Sequence, residues 1–173
     1  MKDELAQWLI PGLRGWDLLF VTLTCVRRVE RDELSRALQK LTHRIKRRVL
    51  GRKAEDMPLA QIAILEPTYK GGVHAHMILQ DPYSLLVDKA FPCTTPAGEL
   101  ITEEWAALGL GGKKAAQDVQ RVYDLAGLIR YLQKNIGGAS VLDRLDLNNF
   151  CLPNRSTHKP IPTAMSQATG DKQ

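Results

Sequence analysis

Aromatic side chains are scarce, at 6% of the sequence, which weighs against a surface that recognises nucleic acid by stacking base after base on exposed rings. Cysteine is scarcer still. Cys25, Cys93 and Cys151 are odd in number and far apart, with no Cys-x-x-Cys pair, so zinc ribbons and dithiol redox chemistry lack their ligands and reduced, structural thiols are expected. Long hydrophobic runs are also missing. The longest, residues 18–26, is broken by Thr22 and Thr24 and falls well short of the ~20 residues that cross a bilayer. Nothing at the N-terminus has the layout of a signal peptide, and no segment repeats. The expectation is a soluble intracellular protein with no membrane partner.

The chain that remains is ordinary in bulk. Its 173 residues are 44% apolar and 25% charged, enough for one domain with a core of its own. Net charge is +5 and the isoelectric point is near 9.2, a mild bias toward a polyanionic partner. The distribution is more informative than the total, because Arg44, Lys46, Arg47, Arg48, Arg52 and Lys53 crowd into one segment. Such a run is a solvated helix face unless a second feature marks it as a nucleic-acid footprint.

Patterning divides the chain into alternating elements. Residues 17–26, rich in β-branched and aromatic residues, and residues 59–67, after Pro58, read as strands. Between them, Leu34, Ala37, Leu38, Leu41, Ile45 and Val49 recur at helical spacing and predict a helix over 33–50, with Asp32 as its cap and Gly51 as its stop. A glycine-bearing turn at 68–72 joins the second strand to a third at 73–80, which predicts an antiparallel hairpin. Residues 81–101 carry several prolines and read as a long irregular connection. Thr102 can cap a short helix over 103–108, and residues 115–123 suit a fourth strand. Asp124 caps a helix running to about Ile136, closed by Gly137 and Gly138. An α+β fold follows, with helices on one face of an antiparallel sheet and the other face free for chemistry. The domain spans residues 1–152, and the polar segment 153–173 reads as a tail. Trp8, Trp16 and the stretch LIPGL before Arg14 suggest only packing.

Chemistry concentrates in three places. His74 and His76 lie at i and i+2 on a strand, so their imidazoles share a side while Val73, Ala75 and Met77 face the core. Glu66 closes the preceding strand on the face of Ile62 and Ile64, where a lone carboxylate is costly to bury without a partner. Across a hairpin these three side chains can converge on one divalent cation with coordination positions left open. Considered singly, each has a plainer explanation: histidines bonded to backbone, or a glutamate at a strand's wet end. On the late helix, Tyr131 borders an apolar stripe at about 100° per residue. Lys134 is its i+3 neighbour, and Gly127, one turn earlier, leaves room above the ring. Tyr131 is either a rim-packing residue or a nucleophile whose phenol, with a pKa of about 10, needs a neighbouring cation to ionise.

Taken in order, these segments resemble the motifs of the HUH endonuclease superfamily, and specifically its single-tyrosine rolling-circle replication initiators. FVTLT at 20–24 resembles the first motif. HAHMIL at 74–79 is similar to the histidine-hydrophobic-histidine motif, with Glu66 where related initiators carry a third metal ligand. YLQK at 131–134 is similar to the Tyr-x-x-Lys motif. The resemblance covers about residues 17–137. It implies a central five-stranded antiparallel sheet with flanking helices, related to RRM-like and ferredoxin-like folds. It implies Mg²⁺ or Mn²⁺ held by Glu66, His74 and His76, and Tyr131 as the nucleophile that forms a 5′-phosphotyrosine link to single-stranded DNA at an origin or hairpin. Lys134 would support the phosphate, and Thr22 and Thr24 would give structural support and contact DNA. Arg44, Arg47, Arg48 and Lys53 are the expected salt-sensitive phosphate contacts. No helicase module follows, which points to a small plasmid or phage initiator, a truncated chain, or recruitment of a host helicase. The compartment would be the bacterial cytoplasm, or the nucleus for a eukaryotic element. Two rivals stand beside this reading. A transposase of the superfamily usually bears glutamine after the tyrosine, and a relaxase usually brings three histidines. A non-catalytic RRM-like module would bind nucleic acid without cleaving it.

Overall fold

A computed structural model describes residues 4–54, 57–69, 71–86, 95–112, 117–134 and 140–152. Its strands are β1 (Leu18–Leu23), β2 (Gln61–Pro67), β3 (Val73–Gln80), β4 (Gln117–Arg121) and β5 (Leu145–Cys151). Its α-helices are α1 (Glu4–Leu13), α2 (Arg31–Leu50), α3 (Ala97–Ala107), α4 (Leu125–Leu132) and α5 (Val141–Arg144). The strands form one five-stranded sheet in the order β4-β1-β3-β2-β5, antiparallel at every pairing. This is the α+β architecture that the patterning and the resemblance both imply.

Alternation along the strands divides the interior in two. Leu19, Val21 and Leu23 of β1, Ala63 and Leu65 of β2, and Ala75, Met77 and Leu79 of β3 pack on one side against Leu34, Leu38, Leu41, Ile45 and Val49 of α2, and against Leu100, Ile101 and Trp105 of α3. Fully burying each such side chain stabilises the fold by about 1.5–3 kcal/mol. On the opposite side Leu18, Ile62, Ile64 and Ile78 pack with Leu9 and Leu13 of α1 and with Ile129 and Leu132 of α4. Helices therefore cover part of both faces, and the expectation that one face stays bare is corrected. Toward one end of the second face the apolar residues give way to Thr22, Glu66, His74 and His76.

Two elements differ from the sequence reading for local reasons. Helix α1 forms although Pro11 lies within it, since Leu9 and Leu13 are buried in the second core and Trp8 stacks on Phe150 of β5 at 5.1 Å. Strand β5 is rich in Asp and Asn, which strands disfavour, and its pairing with β2 shifts register between Ile62 and Ala63. Helix α2 supplies partners at that irregularity: Ser35 donates to Asp146 Oδ1 at 3.0 Å, and Asn149 donates to the Ser35 carbonyl at 2.9 Å. Smaller differences lie in the connections. Helix α3 begins at Ala97, with Thr102 inside it and donating to the Gly98 carbonyl. Helix α2 is preceded by Glu30 as its cap residue, with Asp32 in its first turn. The expected helix end at Ile136 to Gly138, Cys93 and the tail at 153–173 lie outside the described residues.

Candidate metal centre

Register brings the three candidate ligands together. In the hairpin of β2 and β3, Glu66 pairs directly with His74, and Ile64 pairs with His76. On the other flank, Thr22 of β1 pairs with His76. The turn closing the hairpin is tight: Thr68 donates to the Gly72 carbonyl at 2.8 Å, and Gly71 takes φ of 71°, a left-handed backbone that glycine adopts without a Cβ clash. Glu66 Oε2 stands 3.5 Å from His74 Nε2 and 3.4 Å from His76 Nε2, and the two Nε2 atoms are 3.1 Å apart. Among the described residues, Glu66, His74 and His76 have ligand atoms that all lie within 4.8 Å of one another, close enough to hold one metal ion.

The donor set fits such an ion. Donors about 2.0–2.1 Å from a small divalent cation, at octahedral to tetrahedral angles, lie roughly 2.8–3.4 Å from each other; the separations of 3.1 and 3.4 Å fall within that range and the one of 3.5 Å lies just above it. Glu66 and His76 are 6% and 8% exposed, and His74 sits at the more open edge, so the cluster opens to solvent from that side. Thr22 Oγ1 lies 3.1 Å from His76 Nδ1. When that nitrogen donates its N–H to the hydroxyl, Nε2 is left as a lone pair facing the cluster. Burial holds the His76 pKa below the ordinary imidazole value, outweighing the opposing pull of Glu66, so the neutral, ligating form prevails near pH 7.

Arg144 was not among the residues singled out from the sequence. It is 2% exposed and donates through Nη1 to Glu66 Oε1, so its charge balances the buried carboxylate. The signal that could have marked its surroundings is Ser140-x-x-Asp143, a reciprocal capping box that starts α5 and delivers Arg144 at its end.

Tyr131, on α4, lies over the same face of the sheet. Its ring meets Phe20 edge-on at 6.4 Å, and Phe20 in turn stacks on His76 at 5.5 Å. Tyr131 is half exposed, and the Lys134 ammonium stands 5.3 Å from its ring centre. Gly127 serves α4 in a way the sequence did not suggest. Asp124 caps the helix by accepting from the Gly127 N–H at 2.8 Å, and a Cβ at that position would meet Asp124 Cγ at 2.8 Å. The missing side chain thus makes room for the cap.

The remaining candidates lie elsewhere. Thr24 follows the end of β1, and its carbonyl accepts from Trp105 Nε1 at 2.9 Å. The basic helix α2 covers the opposite face of the sheet. There Arg44 bonds to Glu104, and Arg48 bonds to Glu103 and Glu104. Arg47 lies on the same helix, and the Lys53 side chain falls outside those described. Cys25 and Cys151 are free, partly buried thiols whose pKa values burial raises, in keeping with unreactive structural cysteines. No helix among the described residues is long and apolar enough to cross a membrane.

Fold and site together define an antiparallel α+β domain with a Glu/His/His cluster that could hold a metal, bordered by a tyrosine-bearing helix. Comparison of the chain with known families, with curated proteins and with solved structures gives no match.

Proposed function

We propose that this chain is a metal-dependent, site-specific single-stranded DNA endonuclease and strand transferase of the single-tyrosine HUH type, which initiates rolling-circle replication. The observation that carries the reading is the convergence, on one face of the sheet, of Glu66, His74 and His76 with Tyr131 one ring removed from His76. A divalent cation, Mg²⁺ or Mn²⁺, supplies Lewis-acid polarisation of a phosphate when bound. The chain's own residues do the rest. Arg144 offsets the Glu66 charge, so the loaded centre carries excess positive charge and attracts a phosphodiester. Tyr131 Oη attacks phosphorus, the bond to the 3′ oxygen breaks, and the phenolic proton is taken up by the leaving alkoxide through solvent. The products are a 5′-phosphotyrosine link and a free 3′-hydroxyl, and the reverse transfer rejoins strands. Lys134, beside the phenol ring, offsets the negative charge that gathers as phenolate and phosphate meet.

The non-catalytic alternative fits less well. Helices α1 and α4 occupy much of the sheet face that a base-stacking module leaves open, and Phe20, an aromatic on that face, is already engaged with His76 and Tyr131. The direct test is incubation with a mixed pool of single-stranded oligonucleotides and Mn²⁺, followed by a denaturing gel. A slower protein band is expected, lost with chelator, with Tyr131→Phe and with His76→Ala. Failure of the unsubstituted, Mn²⁺-loaded protein to give that band across the pool rejects the proposal.

A further inference from the structure

We infer that Arg144 is a positioning residue that joins the metal-ligating carboxylate to the end of the tyrosine-bearing helix, so that ligand and nucleophile are held in one frame. The inference rests on the function proposed above and goes beyond it, since neither the motifs nor the ligand set includes this side chain.

Arg144 uses four of its five N–H donors in directional bonds. Nη1 donates to Glu66 Oε1. Nη2 donates to the Leu132 carbonyl at 3.0 Å and to the Lys134 carbonyl at 2.7 Å. Nε donates to the Ser140 carbonyl at 3.3 Å. Leu132 is the last residue of α4, so one of these acceptors is a carbonyl that a helix leaves without an internal partner at its C-terminus, where a cation is also favoured by the helix dipole, and the Lys134 carbonyl follows two residues beyond it. With Oε1 engaged by the guanidinium, Oε2 is the Glu66 oxygen left facing His74 and His76. One planar group therefore fixes which carboxylate oxygen meets the cluster and where the last turn of α4, with Tyr131, and the Lys134 that follows it sit. A lysine ammonium lacks the flat, forked donor set needed to reach all these acceptors at once.

Stability alone does not account for the arrangement. Desolvating both ions largely offsets their attraction, and an apolar pair of similar volume commonly serves as well. An apolar pair cannot orient a carboxylate. Charge also bears on the metal in two opposed ways: Arg144 orients the ligand but repels a cation. Removing it should therefore change the link to Tyr131 more than the affinity for metal.

The test uses the full chain labelled with 3-fluorotyrosine. Its four tyrosines give separable ¹⁹F resonances, and that of Tyr131 is assigned by its loss in Tyr131→Phe. Without metal or DNA, Glu66→Gln is expected to shift the Tyr131 resonance when Arg144 is present and to leave it unmoved in the Arg144→Met background. Arg144→Lys gives the same comparison should the Met variant fail to fold. Equal shifts with and without Arg144, or none in either, overturn the inference. In a second readout, the single-turnover rate of adduct formation at saturating Mn²⁺ and DNA is expected to fall at least tenfold in Arg144→Lys. A lowered melting temperature with an unchanged rate marks a purely structural residue and also overturns it. Because the first readout uses neither metal nor DNA, it decides on Arg144 even where the unsubstituted chain forms no adduct, the result that overturns the proposed function instead.

Discussion

The two nitrogens of His76 carry different work because Thr22 faces one and the cluster faces the other. Replacing Thr22 with Val keeps the shape but removes the acceptor that fixes the tautomer, and losing such an outer partner lowers metal affinity by about 10–100-fold. A Mn²⁺ titration of Thr22→Val followed by electron paramagnetic resonance should show that loss, and an unchanged dissociation constant would contradict the tautomer assignment. The same histidine gives the metal-free protein a pH dependence. Glu66, His74 and Arg144 face it, yet burial dominates and the folded-state pKa lies below the unfolded value of 6.5. The unfolded chain then binds more protons, so stability falls as pH drops from about 6.5 through the depressed value. Thermal melts of His76→Gln should lack that component of the acid sensitivity, and identical pH profiles would refute it. At this scale the candidate ligands were legible in the sequence, since strand parity together with the hairpin pairing brings Glu66, His74 and His76 to one side. Arg144 was not. Its acceptors are backbone carbonyls at a helix end and a carboxylate on a distant strand, and no periodicity links them.

Helix α2 carries most of the basic residues expected to contact DNA, and its packing decides which side of the sheet they occupy. Its apolar stripe predicted the buried face almost residue for residue, and its basic residues suggested a DNA contact. The stripe determines which side of the sheet the helix covers, and that side is opposite the cluster. Arg44 and Arg48, roughly half exposed, engage the buried carboxylate of Glu104 on α3. Removing Glu104 should cost about 1–3 kcal/mol, as for a charged hydrogen-bonding partner, whereas Arg44→Ala or Arg48→Ala should cost about 0.5–1 kcal/mol each. We expect these arginine substitutions to leave oligonucleotide affinity and its salt dependence unchanged; a flattened salt slope would restore α2 as a DNA contact. Strand β5 and helix α1 escaped the sequence for opposite reasons. The Asp and Asn of β5 look like a turn until Ser35 of α2 is there to bond them, and Pro11 and Gly12 look like breakers until Leu9 and Leu13 are buried against the sheet.

At the scale of the whole molecule, packing on both faces confines the polar site to one end of the sheet, between the hairpin and the last turn of α4. Ligands from β2 and β3 meet only in the folded chain, so a cation that binds there stabilises the native state by mass action, about 2.7 kcal/mol at a hundred times its dissociation constant. Mn²⁺ should raise the melting temperature of the unsubstituted protein and leave a His74→Ala/His76→Ala double variant where it was. Equal shifts in both would indicate binding elsewhere. The most direct test of the central claim is to react the protein with single-stranded DNA and Mn²⁺, digest with nuclease and trypsin, and identify the modified peptide by mass spectrometry. Trypsin cuts after Arg130 and Lys134 and releases Tyr131-Leu132-Gln133-Lys134. The account predicts this peptide carrying a 5′-linked nucleotide on Tyr131. An adduct on any other residue, or cleaved DNA with no protein-linked nucleotide, would contradict it.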